Sequence, residues 1–400
     1  MTKYLITGGG FANKGAESML YTLITELRAH GDCEITVQVV HGFEFANNCI
    51  PGIDFIPFSF KEREQILNPF VHLCNRVKLR LCKIFGLHCK NKLRLYRAIK
   101  NADIVIDISG YSLSSQWDYV SAHHIPHTIE MAKKYNKQVI LLPQSFGPFD
   151  FTKKYKLDKK YLRNILGYAD AIFCREQDGF AHMQNLGLNN IHKSCDIVIQ
   201  STKEHDIVLT NSEKIAVPQI LSHSVLVVPN MRVMERADKG KMLALYQQTI
   251  QTLLASGKNV YLTYYDLGDI SICDEIKSLF ADDTRVTFLR DNLDCINFNK
   301  ILPAFDFIIS SRFHSIVHAY RHGIPALVIG WAIKYSELLE SVNQQKMLYD
   351  GRTEIVVSDF LESIGYLLEN RDKESAIICD CVKKLQENNC FDKMWKVLKQ

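Results

Sequence analysis

No apolar run in this 400-residue chain reaches the roughly 18–20 residues needed to cross a bilayer. The opening Met1-Thr2-Lys3-Tyr4-Leu5-Ile6-Thr7 is too short an apolar stretch for a secretory signal and runs straight into glycines, so the expected location is cytoplasmic. There is no CxxC pair. Cys379-Asp380-Cys381 is the one close spacing among 12 cysteines, and no second pair completes a zinc site. No metal is therefore expected. The thiols, mostly set among apolar neighbours as at Cys174 and Cys195, are expected to be buried and reduced. A dominant charge is missing too: 48 Lys and Arg against 44 Asp and Glu leave a net +4, which speaks against a dedicated nucleic-acid binder. With 47% hydrophobic and 23% charged residues, the composition is that of a folded globular protein. A chain this long suits two domains.

Short Val- and Ile-rich runs alternate with stretches of helical spacing. The runs predict strands at Tyr4–Thr7, Ile35–Val40, Ile104–Ile108, Val139–Leu142, Ala171–Cys174, Val225–Val228, Val260–Tyr264, Phe307–Ile309 and Ala326–Ile329. Helices are expected at Gly15–His30, His127–Lys134, Asp178–Leu186, Lys241–Ser256 and Ser315–Arg321. Nearly continuous apolar strands followed by helices read as parallel sheets covered on both faces. The pattern restarts near Val225, after a polar stretch. This predicts an α/β protein of two Rossmann-like domains, 1–205 and 206–375, with a last helix in 376–400 packing back on the first. Ala102-Asp103, Ala169-Asp170 and Phe305-Asp306 each lead a strand whose far end is polar. Ligands of open α/β sheets bind at such carboxyl ends, so two sheets facing across a cleft are expected, the GT-B-like layout.

Three segments carry the chemistry. Gly8-Gly9-Gly10-Phe11-Ala12-Asn13-Lys14-Gly15-Ala16-Glu17 joins a strand to a helix. It lacks both the GxGxxG and the GxxxxGK[ST] spacing. A tight turn explains its glycines, whereas Asn13, Lys14 and Glu17 are not needed by a turn and point to binding. In Leu142-Pro143-Gln144-Ser145-Phe146-Gly147-Pro148, Gln144 and Ser145 stand at a strand's carboxyl edge as neutral groups suited to sugar hydroxyls, with a structural loop as the alternative. Ser310-Ser311-Arg312-Phe313-His314-Ser315 opens a helix. Its Arg312 offers a planar fork for phosphate or carboxylate and its His314 a proton donor near neutral pH. Arg232, just past another strand end, is a second anion-binding candidate, and Lys334 follows the strand that ends near Trp331.

Taken together, GGGFANKGAE, ADIVIDISG, LPQSFGP, Arg175-Glu176, Cys195-Asp196, SRFHS and the Trp331 to Tyr335 segment resemble the polysaccharide pyruvyl transferase family from Leu5 to about Leu339. The resemblance implies a GT-B-like fold and phosphoenolpyruvate as donor and co-substrate, with no further cofactor. It implies that Arg312 and His314, with Arg232, hold that donor, and Ser311 and Lys334 are placed on the same side. Asn13, Lys14, Glu17, Asp107, Gln144 and Ser145 are expected on the acceptor side, with Glu17 or Asp107 as the base. The reaction expected is transfer of pyruvyl to a saccharide as a cyclic ketal with release of inorganic phosphate. The alternatives are a nucleotide-sugar glycosyltransferase on the same fold and a non-catalytic sugar-binding relative. At Tyr264-Tyr265-Asp266 the sequence departs from relatives that carry a histidine before the acidic residue.

One stretch stands apart. Residues 76–100 hold nine Lys or Arg and no Asp or Glu, interleaved with Leu79, Leu81, Ile84, Phe85 and Leu87. That composition suits contact with an anionic membrane surface at its inner face, where a lipid-linked acceptor would be reached. A solvated helical insertion packed on the first domain is the alternative.

Overall fold

The computed structural model describes residues 1–11, 13–42, 50–68, 94–204, 217–290 and 293–399, with isolated positions 70, 71, 73, 74, 77 and 207. Strands β1 (Thr2–Gly10), β2 (Cys33–His41), β3 (Ile53–Pro57), β4 (Ile104–Asp107), β5 (Gln138–Gln144), β6 (Ala171–Cys174) and β7 (Ile191–Lys193) form one sheet in the order β3-β2-β1-β4-β5-β6-β7. Strands β8 (Ser224–Val228), β9 (Asn259–Thr263), β10 (Val286–Leu289), β11 (Phe305–Ser310), β12 (Ala326–Gly330) and β13 (Leu348–Asp350) form the other, ordered β10-β9-β8-β11-β12-β13. The pairings are parallel in both. Parallel neighbours need crossovers, and helices such as Lys14–His30, Lys239–Ala255 and Phe313–Arg321 supply them. The inner strands are buried on both faces, as the unbroken burial of β4, β8 and β11 shows.

Both strand orders reverse direction beside the first strand: between β1 and β4 in one sheet and between β8 and β11 in the other. These switch points open crevices at the strands' carboxyl ends. At the first, Gly8 lies against Ser109 with φ +80°; a Cβ there would stand 2.4 Å from the Ser109 hydroxyl. The glycine is thus required by the close approach of two strand ends.

The expected division near 205–206 falls on positions outside the described residues. After the second sheet, a long helix, Val357–Glu387, leads to the helix Cys390–Leu398, which returns to the first sheet. There Trp395 stacks on His30 at 3.7 Å, and Gln200 Oε1 accepts from Cys390 N at 2.8 Å. None of the described cysteines is in a disulfide; Cys174, Cys273, Cys295, Cys381 and Cys390 are buried, whereas Cys74 and Cys379 are exposed.

Candidate functional site

At the second switch point, the ends of β8 and β11 are stitched together. Ser311 N donates to Val228 O (3.0 Å), and Asn230 Nδ2 donates to Ser311 O (2.8 Å). Ser310 Oγ accepts from Arg312 N (3.0 Å) and pairs with Ser315 Oγ (2.6 Å), which turns the chain into the helix Phe313–Arg321. Ser311, expected on the donor side, is fully buried with its hydroxyl paired to Tyr246 Oη at 2.9 Å, so it braces the turn. Arg312 grips Asp269 with Nε (2.6 Å) and Nη2 (2.5 Å). Among the described residues its Nη1 has no hydrogen-bond partner.

Lys334 extends its ammonium over Phe313 (5.0 Å), Trp331 (5.5 Å) and Tyr335 (5.8 Å), with no hydrogen bond among the described residues. Burial, together with the charges of Arg175 and Arg312, lowers its pKa to about 8. Cations from both sheets thus act on one point. Arg232 is not brought to it. Its side chain is 61% exposed and pairs with Glu235 (2.9 Å), because the short helix Met231–Met234 turns it outward.

Across the cleft, the first sheet's glycine segment meets these residues directly. The His314 ring lies on Gly15, where a Cβ would stand 2.3 Å from Nδ1. Lys14 crosses to donate to Tyr264 O (3.0 Å) above the Tyr264 ring (4.4 Å), and burial lowers its pKa to about 8. Asn13, exposed, caps its own helix through Ala16 N (2.9 Å) and makes a bridge with Asp266. Glu17 accepts from Tyr21 Oη (2.9 Å) and from Cys295 N (3.0 Å), the first amide of the helix Cys295–Ile301. Burial and the nearby Asp294 push its pKa up to about 7, against the lowering effect of the Cys295 amide. These three residues therefore tie the two sheets together.

Asp107 is saturated. Thr7 Oγ1 (2.6 Å), Ser109 N (3.0 Å), Ser109 Oγ (2.6 Å) and Gln144 Nε2 (3.3 Å) donate to it, and His124 Nε2 lies at 3.0 Å. Burial alone would raise its pKa, but His124 and the hydroxyls hold it at about 2, which makes it a poor base. Gln144 is buried beside it and leaves Oε1 without a partner among the described residues. Ser145 joins a network that sequence reasoning left without a role. Its hydroxyl donates to Glu176 Oε1 (2.8 Å) and accepts from Arg175 Nη2 (2.7 Å). Arg175 Nε also donates to Glu176 (2.7 Å) and Nη1 to Asp196 (3.2 Å), while its guanidinium lies 4.9 Å over Phe313. Asp196 Oδ2 stands 3.4 Å from His314 Nε2, an ion-pair distance rather than a hydrogen bond, and Nε2 has no hydrogen-bond partner among the described residues. Burial lowers the His314 pKa below its ordinary value. Asp196 opposes that shift, and Arg175 and Lys334 add to it. In the sequence, Arg175 and Glu176 are signalled by the polar end of the strand that Ala169-Asp170 leads and by a motif segment, and Asp196 by a motif segment alone. Asp269 has no such signal.

Arg175, Glu176, Asp196, Phe313, Lys334 and Glu337 are among the residues lining a cleft of about 300 Å³ between the sheets. At its rim Glu337 accepts from Gln177 N and Asp178 N, closing the second sheet onto a helix start of the first.

Two facing Rossmann-like sheets with a charged cleft define a GT-B-like protein, and solved structures agree. The UDP-GlcNAc 2-epimerase of Methanocaldococcus jannaschii is 11% identical with TM-score 0.58, over 92% of this chain and 93% of that one. A glycosyltransferase from Rickettsia africae is 14% identical with TM-score 0.54, over 100% and 99%. The spinosyn rhamnosyltransferase SpnG is 12% identical with TM-score 0.54, over the whole of both chains. Residues 13–332 match the polysaccharide pyruvyl transferase family, and the chain belongs to it. It is an enzyme of polysaccharide pyruvylation, with a saccharide as acceptor.

Proposed function

We propose that the cleft binds phosphoenolpyruvate and transfers its pyruvyl group to two hydroxyls of one saccharide unit, forming a cyclic ketal. The observation that carries this reading is the gathering of cations around Phe313: Arg175 lies 4.9 Å and Lys334 5.0 Å from its ring, and Arg312 and His314 flank it at the start of the helix Phe313–Arg321. A donor with a carboxylate and a phosphate needs at least two cationic anchors, and a helix N-terminus favours the same charge. In this mechanism one sugar hydroxyl adds across the donor's double bond, its oxygen to C2 and a proton to C3. A second hydroxyl then forms the other C2–O bond as the C2–O bond to phosphate breaks, and phosphate leaves with the electron pair. His314 delivers the first proton. Burial lowers its pKa below the ordinary value, and the donor's negative charge raises it toward the working range. Glu176 takes the acceptor's proton, because its Oε2 has no hydrogen bond among the described residues, while Asp107 and Glu17 are committed elsewhere.

Incubation with phosphoenolpyruvate and a panel of lipid-linked and nucleotide sugars tests this. The expected product gains one pyruvic acid less one water and releases inorganic phosphate. Release of a nucleoside phosphate instead would make the protein a glycosyltransferase.

The acceptor in this reading is carried on a membrane lipid. Of the basic segment, position 76 and positions 78–93 lie outside the described residues. Among the described residues no helix is long and apolar enough to cross a membrane. Supporting surface contact, Phe70 and Leu73 just before the basic run and Val77 at its start are exposed at helical positions.

A further inference from the structure

Beyond β9, Tyr264, Tyr265 and Asp266 lead into a single tight turn, Leu267–Asp269, that opens the helix Ile270–Ser278. Asp266 and Asp269 cap one another's backbone there. Gly268 N donates to Asp266 Oδ1 (3.0 Å), and Asp266 N donates to Asp269 Oδ2 (3.2 Å). A local cap of this kind needs one carboxylate oxygen and tolerates solvent. Asp269 is instead fully buried, and its other acceptor positions are taken by groups far away in sequence. Oδ1 accepts from Met231 N (3.0 Å) and from Arg312 Nη2 (2.5 Å), and Oδ2 accepts from Arg312 Nε (2.6 Å). One carboxylate therefore ties together the ends of β8, β9 and β11 at the switch point.

The planarity of the guanidinium gives this pairing a consequence. With its Nε–Nη2 edge fixed on Asp269, Arg312 can meet another anion in bidentate fashion only through the Nη1–Nη2 edge. That edge carries the uncommitted Nη1. We infer that Asp269 is the positioning residue of the donor site: it aims the terminal edge of Arg312 at the donor's anionic group. This rests on the anionic-donor reading given above. It also accounts for arginine at 312, since a lysine could serve Asp269 or the donor but lacks a second edge.

The test measures donor and acceptor constants in the wild type, Asp269→Asn, Arg312→Lys and the double variant, with melting temperatures alongside. Asp269→Asn keeps the shape and loses the charge. The expected result is a KM for phosphoenolpyruvate raised roughly tenfold, with the acceptor KM unchanged. In the Arg312→Lys background the same substitution should change the donor constant by less than about twofold, because the fork it positions is gone. Equal losses in the two backgrounds, or donor and acceptor constants moving together, would reduce Asp269 to a buried cap. Should Asp269→Asn not fold, Asp269→Glu keeps the charge but displaces the carboxylate by one methylene. Donor binding weakened by about fivefold supports the inference, and unchanged binding overturns it. Calorimetric titration of inorganic phosphate into the same proteins separates this from the donor reading. If the wild type binds phosphate but not phosphoenolpyruvate, the donor reading fails alone, and the inference is then judged on the phosphate affinities. If it binds neither, both fail.

Discussion

The imidazole of His314 rests on the backbone of Gly15, so close that a Cβ at Gly15 would stand 2.3 Å from Nδ1. A side chain that ends one sheet's switch point is thus located by the first turn of the other sheet's leading helix. Gly15→Ala is expected to favour that helix by up to about 1 kcal/mol while displacing the ring. Misplacement of a proton donor by an ångström costs on the order of 100-fold in rate. Turnover should therefore fall at least roughly tenfold in protein that remains folded at the assay temperature. Unchanged turnover would show that the ring has room to yield.

The charges around His314 predict opposite shifts in the pH profile. Burial lowers its pKa, Asp196 raises it, and Lys334 lowers it. As an acid, His314 must be protonated, so kcat/KM for phosphoenolpyruvate should fall as pH rises through its pKa in the free enzyme. Asp196→Asn removes a raising influence and should move this alkaline limb to lower pH. Lys334→Met removes a lowering influence and should move it to higher pH, whatever it does to donor affinity. Both limbs moving the same way, or neither moving, would take His314 out of the acid role.

Much of this was legible in sequence, and what was missed shares a cause. The nine strands expected from apolar runs are the inner strands of the two sheets, while β3, β7, β10 and β13, which were not expected, are the four edges. Inner strands are covered on both faces and so carry continuous apolar runs over most of their length. An edge such as Ile191-His192-Lys193 is half solvated and reads as loop. The Arg312-Phe313-His314 segment was recognisable because one strand-to-helix turn carries it. The roles of Asp269, Asp196 and Arg175 depend on partners 43, 118 and 21 positions away (Arg312, His314 and Asp196), a relation no local spacing encodes. Asp107 and Glu17 carried the right chemistry for a base, but their oxygens are filled by Thr7, Ser109, Tyr21 and Cys295.

Glu17 should be visible in stability. Its pKa is raised from an ordinary 4.5 to about 7, chiefly by burial. Between those values the folded protein holds more protons than the unfolded chain, so stability from this group is fully present below 4.5 and is lost as pH rises through 7. Glu17→Gln removes the ionisation. Urea unfolding should then show the wild type losing on the order of 2 kcal/mol more than the variant between pH 5 and pH 8. Identical losses would mean that the carboxylate ionises freely at the contact with Cys295.

The basic segment gives a prediction independent of the cleft. Residues 76–100 hold nine Lys or Arg without an acidic residue, and the exposed Phe70 and Leu73 precede them, with the exposed Val77 at the segment's start. Each basic residue near an anionic leaflet contributes about 1 kcal/mol, screened by salt over roughly 8 Å, so a few of them suffice for reversible attachment. Neutral vesicles offer only the apolar contacts and should retain little protein. Flotation with phosphatidylglycerol-containing vesicles should carry the protein at low salt and release it as salt rises. Replacement of Lys78, Arg80 and Lys83 by Gln should weaken the attachment while leaving transfer to a water-soluble acceptor unchanged. Protein that stays at the bottom of the gradient at low salt would make the segment an ordinary surface insertion, and attachment that persists in high salt would make its apolar residues the anchor in place of its charge.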